Sequence, residues 1–317
     1  MYKEKTIPVV VKEIHQETPN VKRFTLAPLD GWGLPSFSGG SNITTYIEGN
    51  SGLLERHYSI TSHPDNRQYY QIAIGLSDVS TGGSLYWHQH VKIGDRLKIS
   101  YPKNHFSISF KAKHHVFYAA GIGITPFISM MADLDSSFEL HYTAKSKEKC
   151  AFYDYLQQNY PQQCKFYFSQ GEGAKRLSAD SLLEHKIGTH AYFCGPESFI
   201  TAFTDFALKN GYPSSSIHFE RFTSPRPKSA NSFQVQVSNG LTVDVLKDQT
   251  LLEALLEAGV KAPFSCRVGS CGTCALKVIE GEVDHYDSFL SEKQKTAQNV
   301  ILSCVSRAKS EKLVIDL

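Results

Sequence analysis

The sequence holds no apolar run of the ~20 residues that a membrane-crossing helix needs, so no membrane contact is expected. Its amino-terminal MYKEKTIPVVVKEIHQ has only a short apolar stretch, interrupted by Lys12 and Glu13, which does not suit a secretory signal. A cytoplasmic protein is expected. Charge of one sign is also lacking: 33 basic residues meet 31 acidic ones, for a formal net charge of +2, and nothing advertises nucleic acid as a partner. Cysteine is sparse and odd in number, seven in 317 residues, which argues against a disulfide framework and for thiolates used as metal ligands or left reduced. No internal repeat and no long low-complexity tract occurs. What remains, 41% hydrophobic and 20% charged residues, has the profile of a folded chain of two or three domains.

Residues 1–107 are mainly short strands (TIPVVVKEI, VKRFTLAP, SNITTYIEG, RHYSITS, YYQIAIGL, DRLKISYP) parted by turns, with one helix from Ser84, and the pattern predicts an antiparallel β-barrel. Residues 108–224 alternate strand and helix, which predicts an α/β domain with a parallel sheet covered on both faces; helices are expected at PFISMMADL, AFYDYLQQ, SADSLLEH and ESFITAFTDFALKNG. Residues 225–232, rich in Pro, Ser and basic side chains, are a linker in this reading. A small unit over 233–317 starts with two strands and a helix, in the manner of a β-grasp ferredoxin.

The carboxy-terminal unit carries SCRVGSCGTC, in which Cys266, Cys271 and Cys274 stand at C-x4-C-x2-C, and Cys304 follows in VILSCVSRA. That is plant-type 2Fe-2S spacing. Gly269 and Gly272 allow backbone amides to approach sulfur without a Cβ in the way. A zinc site would more often show paired short spacings, and four buried cysteines acting as small hydrophobes would need no flanking glycines.

Two glycine turns mark the middle segment. AAGIGITPFISM puts Gly121 and Gly123 after an apolar strand, with Thr125 and Pro126 opening a helix. YFCGPESF puts Cys194, Gly195 and Pro196 at the end of a later strand, and the carboxyl ends of parallel strands are where α/β sheets bind ligands. Cys194 then lies near a nicotinamide or, equally, is a buried strand residue; Cys150 and Cys164 are read as packing or surface. In the first segment, RHYSITS sends Arg56 and Tyr58 to one face of a strand, with Ser59 and Thr61 as donors, and Gly82, Gly83 and Ser84 open a helix as an anion site. Trp87 and His88 are read as core and surface of that helix.

RHYSITS, GGS, AAGIGITPFISM, CGP, SCRVGSCGTC and EGEVDHYDSFLSEKQ, in this order over almost the whole chain, resemble the phthalate dioxygenase reductase family, which includes vanillate demethylase and carnitine monooxygenase reductase components. The resemblance implies an FMN barrel, an NADH domain and a ferredoxin that feeds a Rieske-type oxygenase, in a monomer. It implies flavin contacts from Arg56, His57, Tyr58, Ser59, Thr61, Ile74, Gly82, Gly83 and Ser84, with Phe222 shielding the ring, and nucleotide contacts from Gly121, Gly123, Thr125, Pro126, Gln170, Cys194, Gly195 and Pro196. Two positions depart from the family. Thr81 stands where Arg usually precedes Gly-Gly-Ser, with Lys103 as a candidate substitute; FAD is the alternative flavin, although Tyr101-Pro102 replaces the Gly-Pro of many FAD-binding relatives. Gln170 replaces the acidic residue that favours a free ribose hydroxyl, and Lys175 and Arg176 lie near enough in sequence to make NADPH the alternative to NADH.

Hydride carries two electrons and a 2Fe-2S cluster takes one, so flavin is the expected intermediary and no side-chain acid or base is required. A reductase for a cytochrome P450 or small acceptors is the rival enzyme reading. A non-enzymatic iron-sulfur sensor is the rival outside catalysis. Arg267 and Val268, in the cysteine loop, are the expected partner contacts.

Overall fold

The computed structural model describes residues 5–49, 52–76, 82–135, 137–224 and 231–317. The chain divides into two compact units, Met1–Glu220 and Arg221–Leu317. The expected linker lies, over 225–230, outside the described residues.

The first unit opens with six antiparallel strands: β1 (Thr6–Thr18), β2 (Val21–Pro28), β3 (Asn42–Gly49), β4 (Gly52–Ser59), β5 (Tyr70–Gly75) and, after helix α1 (Gly83–Gln89), β6 (Arg96–Ser100). Their order is β4-β3-β6-β1-β2-β5. Alternate residues Val9 and Val11, Phe24 and Leu26, and Ile72 and Ile74 turn inward, as the period of two requires. Trp87 of α1 fills the same core, meeting Phe24 and Tyr58 edge-on at ring-centroid distances of 4.7 and 6.0 Å. The expected antiparallel β-barrel takes the form of a six-stranded sheet that does not close into a continuous ladder among the described residues. Edge strands β4 and β5 meet only at an isolated bridge between Ile60 and Ile72, because the chain leaves β4 at Ser59 and cannot ladder further.

The same unit continues with β7 (His114–Ala120), α2 (Thr125–Ala132), β8 (Phe138–Ala144), α3 (Tyr153–Asn159), β9 (Cys164–Phe168), β10 (Thr189–Cys194), α4 (Glu197–Lys209) and β11 (Ile217–Glu220). All five strands are parallel, in the order β11-β10-β7-β8-β9. Phe117 and Ala119 of β7 join the core under α2 and α3, while Val116 and Tyr118 join the core under α4, so both faces are covered. SADSLLEH forms a 3-10 segment, Ala179–Glu184, instead of an α-helix; Ser178 accepts a hydrogen bond from the Asp180 amide at its start. The strand order reverses between β7 and β10, which makes their carboxyl ends the crevice of this sheet.

The two sheets of the first unit are tied directly. Asp133 accepts a hydrogen bond from the Gly39 amide at 2.7 Å, and Ser129 Oγ accepts one from the Gly40 amide at 3.1 Å. Glu17 accepts from the Phe152 amide at 3.2 Å and pairs with Arg23 at 2.8 Å.

The second unit is a β-grasp. Its strands are β12 (Phe233–Val237), β13 (Thr242–Val245), β14 (Ala275–Glu280), β15 (Val283–Asp284), β16 (Val300–Leu302), β17 (Arg307–Ala308) and β18 (Lys312–Asp316), with helices α5 (Leu251–Glu257) and α6 (Glu292–Ala297). Parallel β12 and β18 are flanked by antiparallel neighbours in the order β13-β12-β18-β14-β16. A capping box between Thr250 and Glu253 starts α5, whose Leu251, Leu252 and Leu255 pack against Val235, Ile301 and Ile315. No helix among the described residues is long and apolar enough to cross a membrane.

Two consequences are measurable. A Cβ at Gly123 would lie 2.2 Å from the Cys194 carbonyl oxygen and 2.7 Å from the Gly195 nitrogen. Backbone cannot swing aside, so Gly123→Ala should lower stability by about 2 kcal/mol or more in urea unfolding. Burial pushes the imidazoles of His115, His141 and His218 down to about 4. The unfolded chain protonates first, near pH 6.5, so these groups contribute full stability at neutral pH and lose it as pH falls from there through about 4; urea midpoints across that window should decline, and a flat profile would contradict the burial.

Candidate functional site

The crevice between β7 and β10 is built by backbone contact. Gly121–Ile124 forms a 3-10 turn that runs straight into α2. Gly121 has φ of 57° with open space beside it, and its carbonyl accepts a hydrogen bond from the Tyr142 hydroxyl at 3.0 Å. Gly123 lies directly against the Cys194–Gly195 peptide. Gly195 is equally close to its neighbours, since a Cβ there would meet Ala120 Cβ at 2.7 Å. Thr125 is buried and donates to the Ile122 carbonyl at 3.0 Å, Pro126 stands in the first turn of α2, and Pro196 caps α4. Gln170 sits apart, exposed beyond β9, its amide donating to the Lys145 carbonyl at 2.9 Å.

Cys194 is fully buried, and burial together with the Glu220 carboxylate pushes its thiol far above the usual cysteine range. Its backbone contributes to the crevice, where the Cys194 carbonyl lies against Gly123. Cys150 and Cys164 are packing residues with thiols raised by burial to about 12.

The β4 residues reach the same region from the other sheet. Ser59 Oγ lies 3.5 Å from Glu220 Oε2 at the end of β11, where Glu220 is in register with Cys194. Ile122 packs over Gly75, with Cγ1 at 3.5 Å from where a Cβ would be. Glu220 was not legible as a site residue; its only signal is a position two residues before Phe222. Phe222 is 43% exposed and belongs to the second unit.

Arg56 lies across the start of α1, so that a Cβ at Gly83 would sit 2.5 Å from its Nε. Gly82 has φ of 98°. His57 Nδ1 is 3.0 Å from Thr44 Oγ1, and Tyr58 is half-buried beside Trp87 with its hydroxyl pKa raised by burial. Ile74 is buried, and its carbonyl is bonded by His88 Nε2 at 2.8 Å, so the half-buried His88 ring also ties α1 to β5. Thr61 Oγ1 is buried with no hydrogen-bond partner among the described residues. That orphaned hydroxyl three residues after Tyr58, with Arg56 over a helix start, fits a flavin and its phosphate. Thr81 lies outside the described residues.

In the second unit, Arg267, Gly269 and Gly272 take left-handed φ of 57°, 75° and 74°, which folds the loop back on itself. Cys274 Sγ lies 3.2 Å from Cys304 Sγ. Hydrogen bonds to Cys266 Sγ come from the Val268 amide at 3.5 Å and Ser270 Oγ at 3.4 Å, and the Gly269 amide hydrogen-bonds to the Cys304 thiol. The hydrogen bond from Cys266 pulls the Cys271 thiol down to about 5, and the one from Cys304 lowers Cys274. Four sulfurs with amide donors and two thiols ready to ionise fit a 2Fe-2S cluster. Added Cβ atoms at Gly269 and Gly272 would strike Val305 at 2.6 Å and the Phe289 ring at 2.4 Å, so no larger residue fits the loop.

Comparison with known proteins agrees with both units. Residues 235–309 match the model of the 2Fe-2S iron-sulfur cluster binding domain, and residues 98–217 match that of the dimethylamine monooxygenase subunit DmmA-like N-terminal domain. The chain is 39% identical to a carnitine monooxygenase reductase subunit of Escherichia coli (strain K12), over 98% of each chain. The solved phthalate dioxygenase reductase, 31% identical, superposes with a TM-score of 0.75 over 98% of both chains. A type IV self-sufficient cytochrome P450 monooxygenase, 32% identical with a TM-score of 0.79, matches 98% of this chain, which spans only 41% of that longer one. With an antiparallel flavin-type sheet, a parallel nucleotide-type sheet and a four-cysteine β-grasp in the same order, the chain belongs to the phthalate dioxygenase reductase family of iron-sulfur oxidoreductases.

Proposed function

We propose that this chain is the reductase component of a two-component Rieske-type oxygenase, a cytoplasmic monomer that carries electrons from NADH through FMN and a 2Fe-2S cluster to the terminal oxygenase. The observation that carries this reading is the end-to-end likeness to a carnitine monooxygenase reductase subunit, combined with the convergence of the cysteine sulfurs. The division into 1–107, 108–224 and 233–317 belongs to the same proposal.

A flavin and a 2Fe-2S cluster, when bound, supply the conversion of a two-electron hydride into single electrons. The chain's own task is position and exclusion of water. Arg56 over Gly83 offers charge to a phosphate, Tyr58 offers a ring face, and the Thr61 hydroxyl offers a donor at the flavin edge. The Gly121–Ile124 turn and the Cys194–Pro196 backbone receive the dinucleotide at the switch point, with no Cβ between them. Gln170 accepts NADH without an acidic partner for the ribose, and NADPH is the competing coenzyme. Val305 and Phe289 close over the glycines of the cysteine loop, and Phe289 is 50% exposed beside it. Arg267, half-buried and stacked over Phe264 at 4.3 Å, is a candidate docking group together with Val268.

A haem oxygenase is the second reading for the partner, favoured by the match to a fused cytochrome P450. Purified protein, NADH and each class of oxygenase, drawn from neighbouring genes, distinguish them under anaerobic conditions. The Rieske protein should be reduced and a P450 should not. Cys274→Ser should keep NADH-driven flavin bleaching and lose oxygenase reduction, and Arg267→Gln should slow that last step alone. Loss of flavin bleaching in folded Cys274→Ser protein would contradict the order of transfer.

A further inference from the structure

At the amino end of the parallel sheet, opposite the glycine turns, lies a cluster that electron transfer does not use. His114 opens β7, Glu139 is the second residue of β8, and His185 follows the 3-10 segment Ala179–Glu184. One ligand atom from each lies within 4.8 Å of the other two, and all three side chains are partly buried. We propose that His114, Glu139 and His185 form a binding site for a divalent transition-metal ion of borderline character, zinc above all.

Each ligand is oriented by a second partner. Ser137 Oγ holds His114 Nδ1 at 2.9 Å, which leaves Nε2 as the nitrogen to offer a cation. The Tyr118 hydroxyl holds His185 Nε2 at 2.9 Å, which leaves Nδ1 as the nitrogen to offer a cation. Glu139 receives His141 Nε2 at 2.5 Å and Lys165 Nζ at 2.7 Å, both on its Oε1. Such outer-shell hydrogen bonds fix tautomer and ring direction in metal sites. Two imidazoles and a carboxylate are a known zinc ligand set, with the fourth position left to water. The neighbouring charges are Lys165, which repels a cation, and Glu184, 3.8 Å from Lys165, which offsets it. An ion here would tie β7, β8 and the segment before β10 together without touching the crevice at the other end of the strands.

The test uses the full chain loaded with flavin and iron-sulfur cluster, so that the cluster cysteines are occupied, dialysed against zinc chloride with metal content measured. One zinc per chain should bind, NADH-driven flavin bleaching should be unchanged, and His114→Ala, His185→Ala and Glu139→Gln should each weaken zinc binding roughly tenfold or more. Lys165→Met should tighten it, a gain that misfolding cannot imitate. Absence of zinc uptake, uptake unchanged in His114→Ala and His185→Ala, or weaker uptake in Lys165→Met would overturn the site.

Discussion

The close approach of Gly123 to the Cys194–Gly195 peptide is the constraint on which the first unit depends. β7 and β10 are parallel neighbours, and the chain reverses direction across the sheet between them. A turn after each strand must therefore pass the other within backbone contact. Only glycine permits that distance, and the price is a pair of positions that tolerate no side chain. The result is a crevice floored by main chain, with a 3-10 turn leading into α2 on one side and Pro196 starting α4 on the other. Ser59 and Glu220, then Ile122 and Gly75, bring the antiparallel sheet to the same edge. A hydride donor and its acceptor need that adjacency, since transfer occurs only between atoms held in contact.

A different constraint shapes the second unit. Four thiolates repel one another and each wants donors, so the loop from Cys266 to Cys274 is wound by left-handed residues that aim its amides inward. Asp287 supports this winding from behind: it is buried, it accepts from the Phe289 and Leu290 amides at 3.1 and 2.8 Å, and its neighbour Ser288 donates to the Gly269 carbonyl at 3.1 Å. Val305 and Phe289 then cover the glycines. Rigid support of this kind keeps reorganisation small when charge on a cluster changes.

Much of this was legible in the sequence. The switch from period-two strands to alternating strand and helix separates the two sheets, and cysteine spacing alone points to the cluster. Other features were not. Six strands with frequent turns suggest an antiparallel barrel, but how far its edge strands β4 and β5 ladder is a tertiary matter, and among the described residues they share the Ile60–Ile72 bridge. SADSLLEH reads as a helix from its Ser cap and its leucines, but a single turn of this kind does not distinguish α from 3-10 geometry, which is what forms. Cys194 reads as a nicotinamide contact as readily as a core residue, because a sequence gives the strand but not which atom of it faces the crevice. Glu220 emerges only when strands distant in the chain are paired.

The central claim is that electrons from a nicotinamide reach the four-cysteine cluster through a flavin held by the first unit. Anaerobic titration of the holoprotein with NADH, followed by visible absorption and electron paramagnetic resonance, tests it most directly. Flavin bleaching accompanied by the signal of a reduced 2Fe-2S cluster is the expected result. A cluster that stays oxidised while the flavin is fully reduced, in protein shown to contain both, would contradict it.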